Sequence, residues 1–238
     1  MSTIVSERAP AVSERLAPPE RILLAQRLSL IGETPQVGMG AAAKRATDFL
    51  VAVVMLAIAA VPMLVISVLI LLDDGWPVIF AQERLGKKGR PFTMYKFRSM
   101  RKDAEERLHE VLEHNHIQDG PTFKLKDDPR MTRMGRFLRR TSLDELPQLW
   151  NVVLGNMSLV GPRPPLADEV IGYEDWQLRR LAATPGMTGL WQVSGRSDLS
   201  FNEMVQIDVT YVESWSLGQD LVLLVKTPSA VLNGKGAY

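Results

Sequence analysis

The sequence predicts an α+β fold: a mostly helical, membrane-associated domain with a small β-hairpin, a kinked N-terminal membrane helix and interfacial amphipathic helices. Three observations carry this. Phe49 to Leu72 is a continuous apolar run without a charge, and crossing the hydrocarbon core needs only about 20 residues. Two strand-like segments, Pro77–Gln82 and Pro91–Phe97, flank the turn Gly86-Lys87-Lys88-Gly89. Further on, Met131, Met134, Phe137 and Leu138 recur at helical spacing among arginines.

At 238 residues the chain has room for one domain plus a membrane or tail segment. Its 28 basic and 27 acidic residues leave a net charge of +1, so overall charge selects no partner. Distribution says more, because residues 84–102 and 124–140 are markedly basic. With no cysteine, disulfides, thiolate catalysis and Cys-ligated metals are excluded. His109, His114 and His116 share one polar stretch, 102–116, that reads as helical. They leave His-bound zinc open, but a solvated surface is the favoured reading.

In chain order, residues 1–43 repeat Ser-Glu-Arg and Ala-Pro pieces. Their prolines and scattered charges predict a disordered tail, interrupted by a short amphipathic turn near Ile22–Leu30. Residues 44–74 follow as the membrane helix, with Lys44-Arg45 before the apolar run and Pro62 near its middle. Proline removes a helical hydrogen bond and bends the helix. Hydropathy alone favours a kinked span, with Lys44-Arg45 marking an inside amino end; a re-entrant hairpin is the alternative. In the basic hairpin, alternation puts Lys96 and Arg98 on one face. The arginine-rich 130–140 stretch suits a helix lying in a membrane interface. It would suit nucleic acid too, but the preceding apolar run points to a membrane. Residues 166–183 and 201–214 read as helices, 185–196 alternates turn glycines with strand-like residues, and 220–232 is an apolar helix too short to span.

The chemistry concentrates at Thr141–Asn151. Ser142 with Glu145 three residues later reads as a capping box, which puts Asp144 in the first turn, where the helix dipole favours negative charge. Upstream lies the arginine-dense segment and downstream the rigid Val160-Gly161-Pro162-Arg163-Pro164-Pro165 turn. A carboxylate among cations can attack phosphorus and hold an acyl-phosphate. A second carboxylate can help to hold Mg²⁺. Lys96, Arg98, Arg139 and Arg163 are candidates for phosphate oxygens, and Pro162 and Pro164 restrain the backbone that presents Arg163.

Four ordered motifs then add a resemblance. They are Tyr95-Lys96-Phe97-Arg98-Ser99-Met100, Ser142-Leu143-Asp144-Glu145-Leu146-Pro147-Gln148, Asn156–Pro164 and Pro185-Gly186-Met187-Thr188-Gly189. From about Lys44 to its end the chain resembles the bacterial sugar transferases, specifically monotopic phosphoglycosyl transferases that start exopolysaccharide assembly. The resemblance implies transfer of a sugar 1-phosphate, of glucose or galactose, from a UDP-sugar to undecaprenyl phosphate with release of UMP. It implies Asp144 as nucleophile, Glu145 in the Mg²⁺ site, Lys96 and Arg139 on phosphate, and Arg163 on the nucleotide, with Arg196 a further basic position. It also implies a helix that enters and leaves the cytoplasmic leaflet of the bacterial inner membrane, with residues 75–238 as the catalytic domain facing the cytoplasm. The family breaks that helix at Ser-Pro, whereas this chain has Val61-Pro62. Membrane lipid is the expected surface, nucleic acid is not an expected partner, and a homo-oligomer stays open. The competing reading is a single-span membrane protein whose basic domain docks a partner or anionic lipid without chemistry.

Overall fold

The computed structural model describes residues 7–8, 16–104, 106–107, 128–194 and 199–232. The expected helix at 102–116 with its three histidines falls largely outside these residues, as does Arg196. Strand β1 (Glu7–Arg8) is followed by helices α1 (Pro18–Ser29) and α2 (Gly38–Asp74). Strands β2 (Ile79–Leu85) and β3 (Pro91–Phe97) come next, then α3 (Arg133–Thr141), a 3₁₀ turn at Leu143–Glu145 and α4 (Gln148–Leu154). The remainder is β4 (Ser158–Val160), α5 (Ala167–Ile171), a 3₁₀ segment (Gln177–Ala182), β5 (Gly186–Thr188), α6 (Leu190–Ser194), α7 (Phe201–Glu213) and α8 (Leu217–Leu232).

The hairpin forms as expected, with β2 and β3 antiparallel in the register Phe80↔Lys96 and Gln82↔Met94. Its turn has Lys88 at φ 55° and Gly89 at φ 71°, consistent with a glycine where the chain must reverse. β1 adds to β2 in parallel, and β4 pairs with β5 in parallel.

Within the expected tail, α1 is a folded helix rather than a short turn. Leu16 and Leu24 join Leu85, Val170, Tyr173 and Leu178 in one core cluster, and Arg27 reaches Asp175 at 2.6 Å. Leu24 is buried in that cluster and Leu28 packs partly against it, and such burial offsets part of the ordering cost. The long helix begins at Gly38 rather than 44 and is helical through Pro62 to Asp74. Pro62 supplies no amide to the Ile58 carbonyl, yet the helix continues. The helix predicted for 166–183 divides in two at Gly172, where the fully buried Tyr173 turns the chain inward. The strand-like character expected beyond Thr188 gives way to α6.

α2 is 37 residues long and apolar enough to cross a membrane. One stripe of it is buried, running Lys44, Asp48, Ala52, Ala59, Ile66 and Ile70, a spacing close to one side of an α-helix. The opposite side leaves Leu50, Val54, Ile58, Val61, Leu64 and Leu72 exposed. Its first half packs with Leu149, Val152 and Val160, and its second half with Val78, Phe97 and Leu138. Both ends of the helix are therefore attached to the same folded unit.

Candidate active site

The site is assembled from the end of β3 outward. The chain leaves β3 through Arg98 and Ser99 and pairs with the segment before α3. The Thr132 amide donates to the Ser99 carbonyl at 3.2 Å and the Arg101 amide to the Arg130 carbonyl at 2.8 Å. Thr132 then caps α3, its hydroxyl accepting from the Gly135 amide at 2.9 Å. This seats α3 across the strand end and lets Arg139 Nε donate to Ser99 Oγ at 3.0 Å.

Ser142 opens only the short 3₁₀ turn Leu143–Glu145, with Asp144 in that first turn, and no capping box forms. It closes α3 in the left-handed region, φ 56°, and its side chain caps nothing. Glu145, the intended other half of the capping box, reaches Lys96 Nζ at 2.7 Å instead. An ion pair to a strand on another element outcompetes a local backbone contact. The following helix is pinned to β3 by Asn151, whose Nδ2 donates to the Thr93 carbonyl at 2.6 Å while Oδ1 accepts from the Tyr95 amide at 3.1 Å. Leu143 and Leu146, on either side of the acid pair, pack against the cluster holding Ile66 and Ile70 of α2.

The two acids sit in different electrostatic settings. Asp144 is 7% exposed. Burial, with Glu145 adding to it, pushes its carboxyl up to about 6 against the attraction of Lys96 and Arg139. Burial would raise Glu145 as well, but Lys96, by charge and hydrogen bond, together with Arg163 and Gln148, holds it below its ordinary value. The pair therefore divides into a poised carboxyl and a firmly ionised one, the pattern expected of groups with different tasks. Among the described residues, no group of three or more His, Cys, Asp or Glu side chains is placed to hold a metal ion.

Arg163 stands on a loop in which the carbonyls of residues 162–165 each accept a hydrogen bond. Gly161 N donates to Thr188 O and Gly186 N to Pro162 O, both at 2.9 Å, and Leu85 N to Pro165 O at 2.9 Å. Arg180 Nη2 donates to Arg163 O at 3.3 Å and Arg84 Nη1 to Pro164 O at 3.2 Å. Burial first, and the Arg163 guanidinium second, push Arg84 down to about 10. Arg180 is fixed in turn by a short buried contact to Asp208 and by the Tyr173 hydroxyl at 3.0 Å. The motif glycines are steric: a Cβ on Gly186 would lie 2.0 Å from the Gly161 amide nitrogen.

The sequence-predicted residues separate accordingly. Lys96, Asp144, Glu145 and Arg139 gather at one place, and Arg163 acts electrostatically on Glu145. Arg98 does not share the exposed face of Lys96. The strand ends at Phe97, and Arg98, 4% exposed, turns to the end of α2, donating to the Asp74 and Gly75 carbonyls at 3.0 and 2.8 Å. Ser99, Gln148, Asn151, Arg84 and Arg180 escaped notice as site residues. Ser99 and Gln148 lie inside quoted motifs, so position in the motif could have flagged them; the others act on backbone distant in sequence and carry no local signal.

This arrangement coincides with a family. The model for Bacterial sugar transferase matches residues 39–234. The chain belongs to the bacterial sugar transferase family. A galactosyl transferase CpsE from Streptococcus agalactiae is 52% identical over 165 residues, 69% of this sugar transferase and 36% of the relative. An undecaprenyl-phosphate galactose phosphotransferase from Salmonella typhimurium is 46% identical over 205 residues, 82% and 43% of the two chains. The exopolysaccharide production protein ExoY of Rhizobium meliloti is 42% identical over 203 residues, 84% of this chain and 90% of that one. The transferase thus spans less than half the length of the first two and nearly all of the third. The β1–α1 segment precedes the family match.

Proposed function

We propose that this chain moves a sugar 1-phosphate from a UDP-sugar to undecaprenyl phosphate, as the first membrane step of exopolysaccharide synthesis. The relatives' names make galactose the first sugar to assay. The observation that carries the reading is Asp144, a buried carboxyl flanked by Lys96, Arg139 and Glu145. In the first half-reaction an Asp144 oxygen attacks the phosphorus bearing the sugar. The pyrophosphate P–O bond breaks, and UMP leaves with the bridging oxygen. In the second, an oxygen of undecaprenyl phosphate attacks the same phosphorus. That breaks the aspartyl–phosphorus bond and returns the free carboxylate. Lys96 and Arg139 would offset phosphate charge, and Arg163, held on its fixed loop, would engage the nucleotide.

The donor set suits Mg²⁺: Asp144 and Glu145 offer hard oxygen ligands, and such sites leave other positions to water and substrate phosphate. Bound there, the ion would neutralise pyrophosphate charge.

The attachment of both α2 ends to one domain supports a helix that enters and leaves a single leaflet, with the catalytic domain on the cytoplasmic side of the inner membrane. A transverse span would carry the domain's packed surface, including Lys44 and Asp48, into hydrocarbon, where charges are costly. Cysteines introduced near each end of the chain, which has none of its own, report their side by labelling; opposite sides would refute this topology. The chemistry is tested by incubating purified enzyme and Mg²⁺ with UDP-galactose alone. The expected results are about one equivalent of UMP per enzyme and a phosphosugar adduct on Asp144 by mass spectrometry. An adduct on another side chain would overturn the assignment.

A further inference from the structure

Lys44, which as a sequence signal marked the cytoplasmic flank of the membrane helix, faces neither water nor lipid. It is 5% exposed. Its Nζ donates to Asp220 Oδ2 at 2.6 Å and to the Val160 carbonyl at 3.0 Å. Asp48, one turn along α2, stands 3.8 Å from the same nitrogen, and its Oδ1 accepts from the Leu159 amide at 3.1 Å. Asp220 also takes the Trp215 indole N–H at 3.1 Å and the Tyr211 hydroxyl at 2.7 Å, and that hydroxyl lies 3.1 Å from Val160 O. The starts of α2 and α8 and the end of α7 thus converge on Val160, the last residue of β4. Gly161, Pro162 and Arg163 follow directly, and the prolines leave the loop few amides with which to anchor itself.

We propose that Lys44, paired with the Asp220 carboxylate that Tyr211 also bonds, is a positioning residue that fixes the backbone from which Arg163 projects. Seating of the membrane helix and geometry of the donor loop are then one mechanical unit. A buried ammonium is costly unless it is fully paired, so an anchor serving the membrane alone would not require one inside the domain. Removing it leaves Asp48 and Asp220 buried without their cation and takes from the Val160 carbonyl its one charged donor, leaving the Ser158 and Tyr211 hydroxyls at 2.9 and 3.1 Å, so the change falls on the residue from which the loop starts. The inference rests on the reading that Arg163 engages the nucleotide donor.

The test uses the full chain reconstituted in lipid nanodiscs, with rates measured over separate series of UDP-galactose and undecaprenyl phosphate. In a two-step displacement each kcat/KM reports its own half-reaction. Lys44→Met is expected to lower kcat/KM for the donor at least about tenfold and to leave that for the acceptor within about twofold. Tyr211→Phe, which removes only a hydroxyl, is expected to lower the donor value about threefold with a small drop in Tm. Equal losses in both half-reactions, a loss confined to the acceptor, or lower Tm with unchanged donor kcat/KM would overturn the proposal. If Lys44→Met does not fold, Tyr211→Phe decides, and a wild-type donor kcat/KM there overturns it. Arg163→Ala is run alongside. If that variant leaves the donor value intact, the reading of Arg163 fails, whatever the Lys44 and Tyr211 variants show.

Discussion

Two stretches of this chain share the pattern Ser-x-x-Glu and fold differently. At Ser200–Glu203 the capping box forms: Ser200 Oγ accepts from the Glu203 amide at 3.2 Å, and Glu203 accepts from the Ser200 amide at 2.8 Å. At Ser142–Glu145 neither bond exists; Ser142 ends one helix in the left-handed region, and Glu145 pairs with Lys96. The difference is the neighbourhood. Glu203 is exposed, and among the described residues no cation is paired with it, whereas Glu145 lies beside a strand lysine whose charge outweighs a backbone amide. A local signal is followed where nothing else claims the side chain, and set aside where an ion pair from another element does.

The largest effect that would test this contrast is at Asp144. Asp144→Asn is expected to abolish UMP release, by at least about a thousandfold, because the nucleophile is gone. The same variant should be more stable to urea by about 1–3 kcal/mol near neutral pH, since it no longer buries a reluctant charge. Loss of stability instead would show Asp144 to be structural. Next is pH. The folded protein binds the Asp144 proton more tightly than the unfolded chain, so that group favours the fold fully below about pH 4. Its contribution is withdrawn as pH rises through about 6. Catalysis runs oppositely: donor kcat/KM in the pH series should fall as pH drops below about 6, with protonation of the nucleophile. Glu145→Gln should cost about a hundredfold in turnover by uncoupling Lys96; near-normal rates would make the Lys96–Glu145 pair structural only. The smallest effects lie in the serines. Ser200→Ala is expected to cost about 1 kcal/mol of stability with rates unchanged. Ser142→Gly should stabilise slightly, because glycine adopts φ 56° at no steric cost.

Much of the architecture was readable because it depends on short-range regularities. The hairpin announced itself by alternation about a glycine turn, and α2 by its unbroken apolar run. The acid pair, Lys96 and Arg139 could be named because motif spacing carries them. What could not be read is where each charge goes once the chain folds. Arg98 and Lys96 are equivalent by alternation, but one clamps the end of α2 and the other meets Glu145, a choice made by residues far off in sequence. Lys44 looked like a flanking charge for the same reason. The folded α1 was hidden because its apolar side chains bury against residues distant in sequence, among them Leu85, Val170 and Tyr173, and the capping box at Ser200 was visible in principle but stood outside every motif.

Where α3 crosses the end of β3, a Cβ on Gly135 would fall 1.8 Å from the Ser99 carbonyl oxygen. No rotamer relieves a clash with backbone, so even alanine there must wedge the helix away from the strand. Arg139 rides on the far turn of that helix and Lys96 on that strand, so the wedge would open the distance between the two cations. One missing methyl group thereby acts as the spacer that sets how far apart Lys96 and Arg139 stand.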